Sequence, residues 1–557
     1  MIAFAAVCDA IAETAAKTTK IERLASYLSS LERDDLVAAS RFLSGAPLAQ
    51  SDDRRLAIGG RTILNAARRT WHFDDAELGE AYRAKGDLGE ALGLVFREPA
   101  APSLFSETLT PASLALLLDE IASVQGRASG KKREFVCERI LRACRSAREA
   151  VYAAKILTGD LRIGLREGLV LDAIAAAFGR DARAVRRAAM AAGDVGAVAI
   201  AARDDVLAAI EVRYGAPIGF MLASPIAFGS TYRELAEGGW LVEDKYDGIR
   251  AQAHKFDRTV RLFSRTFSDI GRAFPEVTAA IEKQTGDFIL DGEIVARREG
   301  RALPFRYLQP RLQRVDPSEE LRAEIPVAFV AFDALAVKRK FLVDEPLEER
   351  RAQLAGALAP IGALELAPWA TLEAAAPPER IGELFEAARE RGNEGLVFKR
   401  SDAPYVPGRR GKWWLKLKRE LSTLDCVVVG VEWGHGKRAK VLSDYTFAVR
   451  RSPESDELLT IGKAYTGLTD AEIATMTEWF ETHKIAAGSY GFAVEPTVVV
   501  EIAFDVIQKS ELHPSGFALR FPRIVRLRPD KRPDEIDSLA DVERIYQEML
   551  AREGVSR

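Results

Sequence analysis

Lys245 sits in the string Glu243-Asp244-Lys245-Tyr246-Asp247-Gly248-Ile249-Arg250. A lysine amine attacks phosphorus only after losing its proton, and with a reference pKa of about 10.4 that loss costs roughly 4–5 kcal/mol at pH 7. Burial and nearby cations reduce the cost. Alone, a lysine ahead of Asp-Gly is a turn with a solvated cation. Its company argues for more: Ser264-Arg265, then Asp291-Gly292-Glu293, then Phe332-Asp333, then Glu394-Gly395-Leu396-Val397-Phe398-Lys399, then Trp414-Leu415-Lys416-Leu417-Lys418. Each string sets charged residues on or beside a short apolar run, as a sheet lining a pocket does. Several cations and two acidic residues converging on one pocket equip it for a triphosphate and a metal. On this reading Lys399, Lys416 and a bound metal supply the positive field that lowers the amine and neutralises phosphate oxygens.

These residues need a scaffold. From Trp240, runs such as WLVEDKYDG, IRAQAHKF, TVRLFS, DFILDGEIVA, VAFVAFDAL and EGLVFKR predict strands. PLEERRAQLAGALA and RIGELFEAARERG between them predict helices, which makes this an α+β domain over residues 216–420. Upstream, residues 1–215 are rich in Ala, Leu and Arg at helical spacing, ARDDVLAAIEVRYG being one example, and predict an all-α domain. YGAPIGFMLASP, Tyr214–Pro225, breaks that period with Gly and Pro and reads as a linker. Over residues 421–557, DCVVVGVEW, DYTFAVR, VVVEIAFDVIQ and ALRFPRIVRLRP predict five or so short strands, which suit a β-barrel of the oligonucleotide-binding (OB) type closed by a helix over about Ser538–Arg552.

Composition sets the outer limits. With 557 residues, 48% hydrophobic and 29% charged, the chain reads as a multidomain globular protein. The net charge of −3 does not point to nucleic acid, but Arg127–Arg187 holds 15 Lys and Arg against 7 Asp and Glu, a local excess of eight positive charges. Such a stripe suits a phosphate backbone, or else it is a solvated helix face. In the loop Gly126–Arg133 (GRASGKKR), Lys131, Lys132 and Arg133 are the candidate DNA contacts, with glycines allowing a close backbone approach. Cys8, Cys137, Cys144 and Cys426 form no CxxC pair, which argues against a zinc module and fits a reducing cytoplasm. The start, MIAFAAVCDAIAETAAK, lacks a basic n-region and carries Asp9 and Glu13, so it reads as a helix of the fold rather than a targeting peptide, and no apolar run is long enough to span a bilayer.

KYDGIR followed in order by SR, DGE, AFD, EGLVFK and WLKLK resembles the ATP-dependent DNA ligases within the covalent nucleotidyltransferases. LRFPRIVRLRPDK, Leu519–Lys531, resembles their C-terminal Arg-x-Asp-Lys motif, and LTGDLRIGLREGLVLDAIA, Leu157–Ala175, resembles their helical DNA-binding domain. The resemblance runs from about Gln125 onward. It implies a ligase for nicked double-stranded DNA, a monomer acting in replication, repair or recombination, with ATP as substrate and Mg2+ or Mn2+ as cofactor. It implies that Lys245 carries AMP, that Glu243 reads adenine and that Phe332 stacks on it. Arg250 and Arg265 would bind the ribose and phosphate region, and Glu293 the ribose or a metal. Glu394 would be the principal metal ligand. Lys416 and Lys418 would grip the α-phosphate with Lys399 assisting, and Arg410 would contact a phosphate upstream. Arg528, Asp530 and Lys531 would orient pyrophosphate. Read from residue type alone, Phe332 fits plain core, Arg410 in PGRRGK a solvated loop, and the Arg528 cluster an exposed turn. KRELSTLD departs from the family, which often carries Tyr soon after WLKLK. mRNA capping enzymes share the lysine motif without the basic helical domain, a NAD-dependent DNA ligase would bring a four-cysteine zinc module, and a catalytically silent DNA-binding module has no use for the pocket charges; an RNA ligase stays open as an alternative.

Overall fold

The structure is a computed structural model and describes residues 1–98, 108–226, 235, 237–298, 300–312, 314–374, 376–408, 410–418, 422–434, 438, 440–488 and 491–552. It is 42% helix and 25% strand: a helical N-terminal region, an α+β middle domain and a β-rich C-terminal region. By contacts it divides into two compact units, one of Met1–Gly79 with Ala91–Lys418, the other of Glu80–Glu90 with Arg419–Arg557.

In the first unit the N-terminal segment is a helix, Ile2–Ala12, with Phe4, Ala5, Cys8 and Ile11 buried. Phe4 meets Tyr27, Phe42 and Tyr152 edge-to-face. Tyr152 belongs to the central helix Ala147–Thr158, almost wholly buried, capped by Ser146 accepting from the Glu149 N–H and ended by Gly159 in the left-handed region. The LRIG turn after it places Arg162 and Gly164 at positive φ. The buried Lys20 ammonium donates to the carbonyls of Ile163 (3.2 Å) and Gly164 (3.0 Å), so a cation from the otherwise unassigned first hundred residues sets this turn.

Two readings of this region are corrected. ARDDVLAAIEVRYG is not helical: the preceding helix ends at Arg203, Asp205 turns left-handed, and only Leu207–Ala209 forms a 3-10 turn. The Asp pair and the β-branched Val206 and Ile210 favour leaving the helix there. GRASGKKR is a loop only as far as Ala128, because the helix Ser129–Ala143 already holds Lys131, Lys132 and Arg133.

The α+β part carries strands β1 (Leu222–Ile226), β2 (Trp240–Lys245), β3 (Ile249–Phe256), β4 (Thr259–Ser264), β5 (Phe288–Arg298), β6 (Arg301–Leu303), β7 (Val327–Val337), β8 (Lys340–Phe341), β9 (Leu364–Leu366), β10 (Trp369–Leu372), β11 (Gly395–Arg400) and β12 (Arg410–Lys418). One sheet runs β1-β12-β11-β2-β10; the other runs β4-β3-β5-β7-β8, with β6 on β5 and β9 on β7. Period-two alternation gives each strand of the first sheet two characters. Val242, Leu396, Phe398, Leu415 and Leu417 pack under the helix Pro378–Glu390 through Ile381, Phe385 and Ala388. The second sheet buries Ala251, Ala253, Leu290, Ile294 and Phe329 against helices through Phe274, Ile281 and Leu354. The facing sides share a core of Ile218, Met221, Val330, Phe332, Tyr405 and Trp414. Asp333 and Arg350, both fully buried, pair through two bonds of 2.8 Å beneath it.

The linker is more than a spacer. Its end is β1, pairing parallel with β12. Before that, the Ile218 N–H donates to Gln252 Oε1 (2.8 Å) and the Gly215 N–H to His254 Nδ1 (3.2 Å). Gly and Pro break the helical period, but the freed backbone groups find side-chain partners on β3.

The second unit holds β13 (Ser422–Trp433), β14 (Leu442–Arg450), β15 (Leu458–Ala464), β16 (Lys484–Ala487), β17 (Gly491–Val494), β18 (Val499–Phe504), β19 (Val506–Lys509), β20 (Phe517–Arg520) and β21 (Arg523–Leu527). The long β13 pairs with β14, β17 and β18, and the sheet encloses Val428, Phe447, Ile461, Ile502 and Ile524 with Phe480 of the helix Asp470–Thr482. More strands form than the five or so expected: VVVEIAFDVIQ breaks at Asp505 and ALRFPRIVRLRP at Phe521-Pro522, because Pro cannot continue a ladder. The closing helix is Leu539–Arg552.

The fully buried His254 yields a prediction. Burial, then the charge of Arg261, push its imidazole down to about 3 from an ordinary value of 6.5. The neutral ring is the one whose Nδ1 accepts from the linker. Its stabilising contribution is therefore complete above pH 6.5 and lost as pH falls toward 3, at about 1.4 kcal/mol for each pH unit crossed between those values. Urea unfolding of the wild type from pH 7 to 4 should show a steeper acid loss than His254→Gln; equal slopes would remove His254 as the cause.

Candidate active site

The antiparallel pairing of β2, β11 and β12 sets the site in rows. Gly395 stands between Lys245 and Lys418, Val397 between Glu243 and Lys416, and Lys399 between Leu241 and Trp414. Cross-strand partners share a face and alternate residues repeat it, so these nine residues form one surface opposite the apolar side under the helix. Gly395 lies at φ +153°, and a Cβ there would meet the Leu417 carbonyl at 2.3 Å. The lysines on either side therefore have no side chain between them. The Gly248 of KYDG is equally obligatory, since a Cβ would fall 2.2 Å from the Ile294 carbonyl.

This surface faces a cavity of about 210 Å³ lined by Glu243, Lys245, Arg250, Arg265, Glu293, Phe332, Lys399 and Lys416 among others. Eight of the sequence-predicted residues thus come together. Glu394 joins them: its N–H donates to the Lys245 carbonyl (2.8 Å), and its carboxylate accepts from Lys245 Nζ (2.8 Å). Lys418 acts on the same carboxylate, helping to hold it below its ordinary range against burial. The side chain of Arg410 lies outside the described residues. Arg528, Asp530 and Lys531 belong to the second unit, where Asp425 Oδ atoms accept from Arg528 Nη1 (2.9 and 3.0 Å) and Lys531 Nζ (2.6 Å).

Electrostatics differ from the expectation at one point. Burial works to lower the Lys245 amine, but Glu394, Glu293 and Asp247 outweigh it and hold the amine above its ordinary value. Lys399 is paired with a carboxylate of its own. It is buried, it donates to Glu243 Oε2 (2.6 Å), and it lies 3.9 Å from the Phe332 ring centroid and 4.4 Å from that of Trp414. Burial pushes the Glu293 carboxyl up to about 7, and burial with Glu394 pushes Asp247 up to about 6. Arg250 pairs with the buried Asp291 through bonds of 2.6 and 2.7 Å, its guanidinium 4.6 Å from the Phe332 centroid.

Sequence reasoning missed several contributors. Arg351 donates to Glu243 Oε1 (2.9 Å) and to the carbonyls of Phe332 (2.8 Å) and Ala367 (2.7 Å). Tyr405 donates to Asp291 (2.6 Å) and accepts from the Met221 N–H (3.1 Å), which brings the linker residues Phe220 and Met221 into the cavity wall. The Arg350-Arg351 pair in the segment PLEERRAQL was the one visible signal, and both arginines are buried, on Asp333 and Glu243 respectively.

The two-sheet domain with a lysine-centred anion cavity, flanked by a helical region and a β-rich region, defines a nucleotide-dependent ligase architecture. The chain belongs to the ATP-dependent DNA ligase family. The family's ATP dependent DNA ligase domain matches residues 220–418, the DNA ligase N terminus residues 1–175, and the ATP dependent DNA ligase C terminal region residues 438–531. A probable DNA ligase of Koribacter versatilis is 44% identical, covering 98% of this chain and 96% of that protein. A DNA ligase of Thermococcus onnurineus is 34% identical over 96% of this chain and 95% of its own. A solved structure described as Pmar-Lig_PreS3, 16% identical, has the same fold over 94% of this chain and 99% of its own, with a TM-score of 0.55.

The basic stripe of the helical region is largely paired. Arg139 meets Glu120, Arg142 meets Glu138, Arg148 meets Asp9, Arg180 meets Asp205, Arg186 meets Asp172 and Arg187 meets Asp344. Arg133 turns back to the Val124 carbonyl (2.8 Å), whereas Lys131 and Lys132 are exposed at the helix start. Each phosphate contact steepens the salt dependence of DNA binding by about 0.9 in log–log slope. Lys131→Ala with Lys132→Ala should therefore make the slope for nicked duplex shallower by up to about 1.8, while Arg133→Ala should leave the slope alone and lower the melting temperature. A slope unmoved by the lysine pair would mean that they face solvent in the complex.

Proposed function

We propose that this protein is an ATP-dependent DNA ligase that seals nicks in duplex DNA through an adenylate on Lys245. The observation that carries the reading is the row Lys245–Gly395–Lys418 with Glu394 bonded to Lys245 Nζ at 2.8 Å, at one end of a cavity whose other end is aromatic. The aromatic end suits a base, and the lysines suit phosphates.

In this mechanism Phe332 and Trp414 enclose the base, Glu243 accepts from its exocyclic amine, and Arg250 and Arg265 sit toward the sugar and phosphates. Lys416 and Lys418 neutralise the α-phosphate as charge builds. Lys245 Nζ gives up its proton to solvent and attacks the α-phosphorus. The N–P bond forms as the bond to pyrophosphate breaks, and pyrophosphate leaves with the electron pair. A 5′-phosphate at the nick then takes the adenylyl group, Nζ regaining a proton. Finally the 3′-hydroxyl attacks that phosphate and AMP departs. Arg528 and Lys531 act on the pyrophosphate of the first step.

The donors fit a divalent cation. Glu394, Asp247 and Glu293 offer hard oxygens crowded enough that burial and mutual repulsion raise two of them. Among the described residues no three His, Cys, Asp or Glu side chains form a ready-made metal cluster. Magnesium or manganese held by Glu394 and phosphate oxygens matches that arrangement. When bound, such an ion would screen phosphate charge and draw Glu394 away from the ammonium. The same reading divides the labour among residues 1–215 for DNA, 216–420 for adenylation and 421–557 as the OB domain, in a monomer working in the cytoplasm. No helix among the described residues is long and apolar enough to cross a membrane.

Two tests follow. Lys245→Ala and Lys245→Arg should both lose covalent labelling by ATP and nick sealing, because a guanidinium stays protonated; wild-type labelling in either would sink the assignment. Truncation at Arg526 should block labelling yet still allow slow sealing of a nick already carrying AMP, whereas normal reaction with ATP would remove Arg528–Lys531 from pyrophosphate chemistry.

A further inference from the structure

Glu243 is nearly inaccessible, yet it lines the cavity. A lone carboxylate so placed would lose its hydration without replacement or swing toward water. Two cations prevent this, one on each oxygen: Arg351 Nη1 at 2.9 Å on Oε1 and Lys399 Nζ at 2.6 Å on Oε2. An ionised carboxylate has about four acceptor sites, so two remain after these bonds. Arg351 does more than neutralise. Its guanidinium fork also holds the main-chain carbonyl of Phe332 and that of Ala367, the residue leading into β10, which pairs with β2 along Glu243 itself. One planar, rigid group thus fixes the carboxylate, the aromatic wall and the neighbouring strand relative to one another. Lysine lacks that fork.

We infer that Arg351 is a specificity-positioning residue: by fixing Glu243 against Phe332 it turns the carboxylate's remaining acceptor sites toward the 6-amino group of a bound purine. The inference rests on the adenylation reading above. Arg351 makes no contact with the reacting phosphate in this arrangement and acts through Glu243. A site that holds a fixed acceptor for an N–H discriminates against a ligand lacking that N–H, because the acceptor is then buried without its partner. Remove the fixing group and the acceptor is free to turn away, so discrimination falls even though the pocket still admits the ring.

The test compares ATP with purine riboside triphosphate, which lacks the 6-amino group, as α-labelled substrates for covalent labelling of the full-length protein. Wild type should prefer ATP on the order of 10- to 100-fold, the range for a hydrogen bond to a charged acceptor. Arg351→Met should raise KM for ATP selectively and bring the ratio of the two kcat/KM values close to one. Arg351→Lys, which keeps the charge without the fork, should recover part of the preference. Melting curves identify folded variants, and if Arg351→Met does not fold, Arg351→Lys decides. A wild-type ratio in a folded variant, or an equal loss for both triphosphates, would overturn the role. Absence of label from either triphosphate on the wild type would instead overturn the adenylation reading, and this inference with it.

Discussion

Everything at the site depends on the alternation of β2, β11 and β12 about a helix-covered sheet. Leu396, Phe398, Leu415 and Leu417 are committed to the Pro378–Glu390 helix, so Val397, Lys399, Trp414, Lys416 and Lys418 have no choice but the other face. A slip of one residue would bury three lysines under a helix and expose the leucines, at a cost far beyond the stability of an ordinary domain. The apolar half of the pattern thereby fixes the position of the charged half.

Concentrating charge in a half-enclosed cavity raises a second problem, which the structure meets by pairing. Lys245 leans on Glu394, Lys399 and Arg351 on Glu243, Arg250 on Asp291, and in the other unit Arg528 and Lys531 on Asp425. Each pair lowers the cost of desolvation. The two kinds of pair differ in consequence. The Glu243 clamp is buried and so is Asp291 beneath Arg250, and both pairs are further tied to main chain or Tyr405, so they hold shape. In Lys245–Glu394 both partners are partly exposed, at 20% and 31%, and in the proposed mechanism each takes a different bond once a nucleotide arrives.

Much of this was legible in the sequence because it is local. WLKLK announces alternation directly, WLVEDK and EGLVFK read as short strands, and the order of the charged strings matched one family. The pairing of Lys399 with Glu243 was not legible, because the two lie 156 positions apart and register alone brings them together. The acidic side of the field at Lys245 was hidden for a related reason: cations could be counted from the sequence, but the three carboxylates that raise the amine emerge only when β2, β5 and β11 are assembled. Arg351 showed only as one of two adjacent arginines in a helical run, and Tyr405 stayed hidden because a loop carries no chemical signature of its own. In the helical region the excess positive charge between Arg127 and Arg187 overstated the free charge, since Asp9, Glu120, Asp205 and Asp344 come from outside that window.

The central claim is that one amine in this lysine-rich cavity is the nucleophile. It is tested most directly by incubating the wild-type protein with ATP and a divalent cation, digesting it, and locating the adenylyl group by mass spectrometry. The account predicts a single adduct, on the peptide containing Lys245, bound through nitrogen and released by acid. An adduct on Lys399, Lys416 or Lys418 in place of Lys245, or none at all, would contradict it.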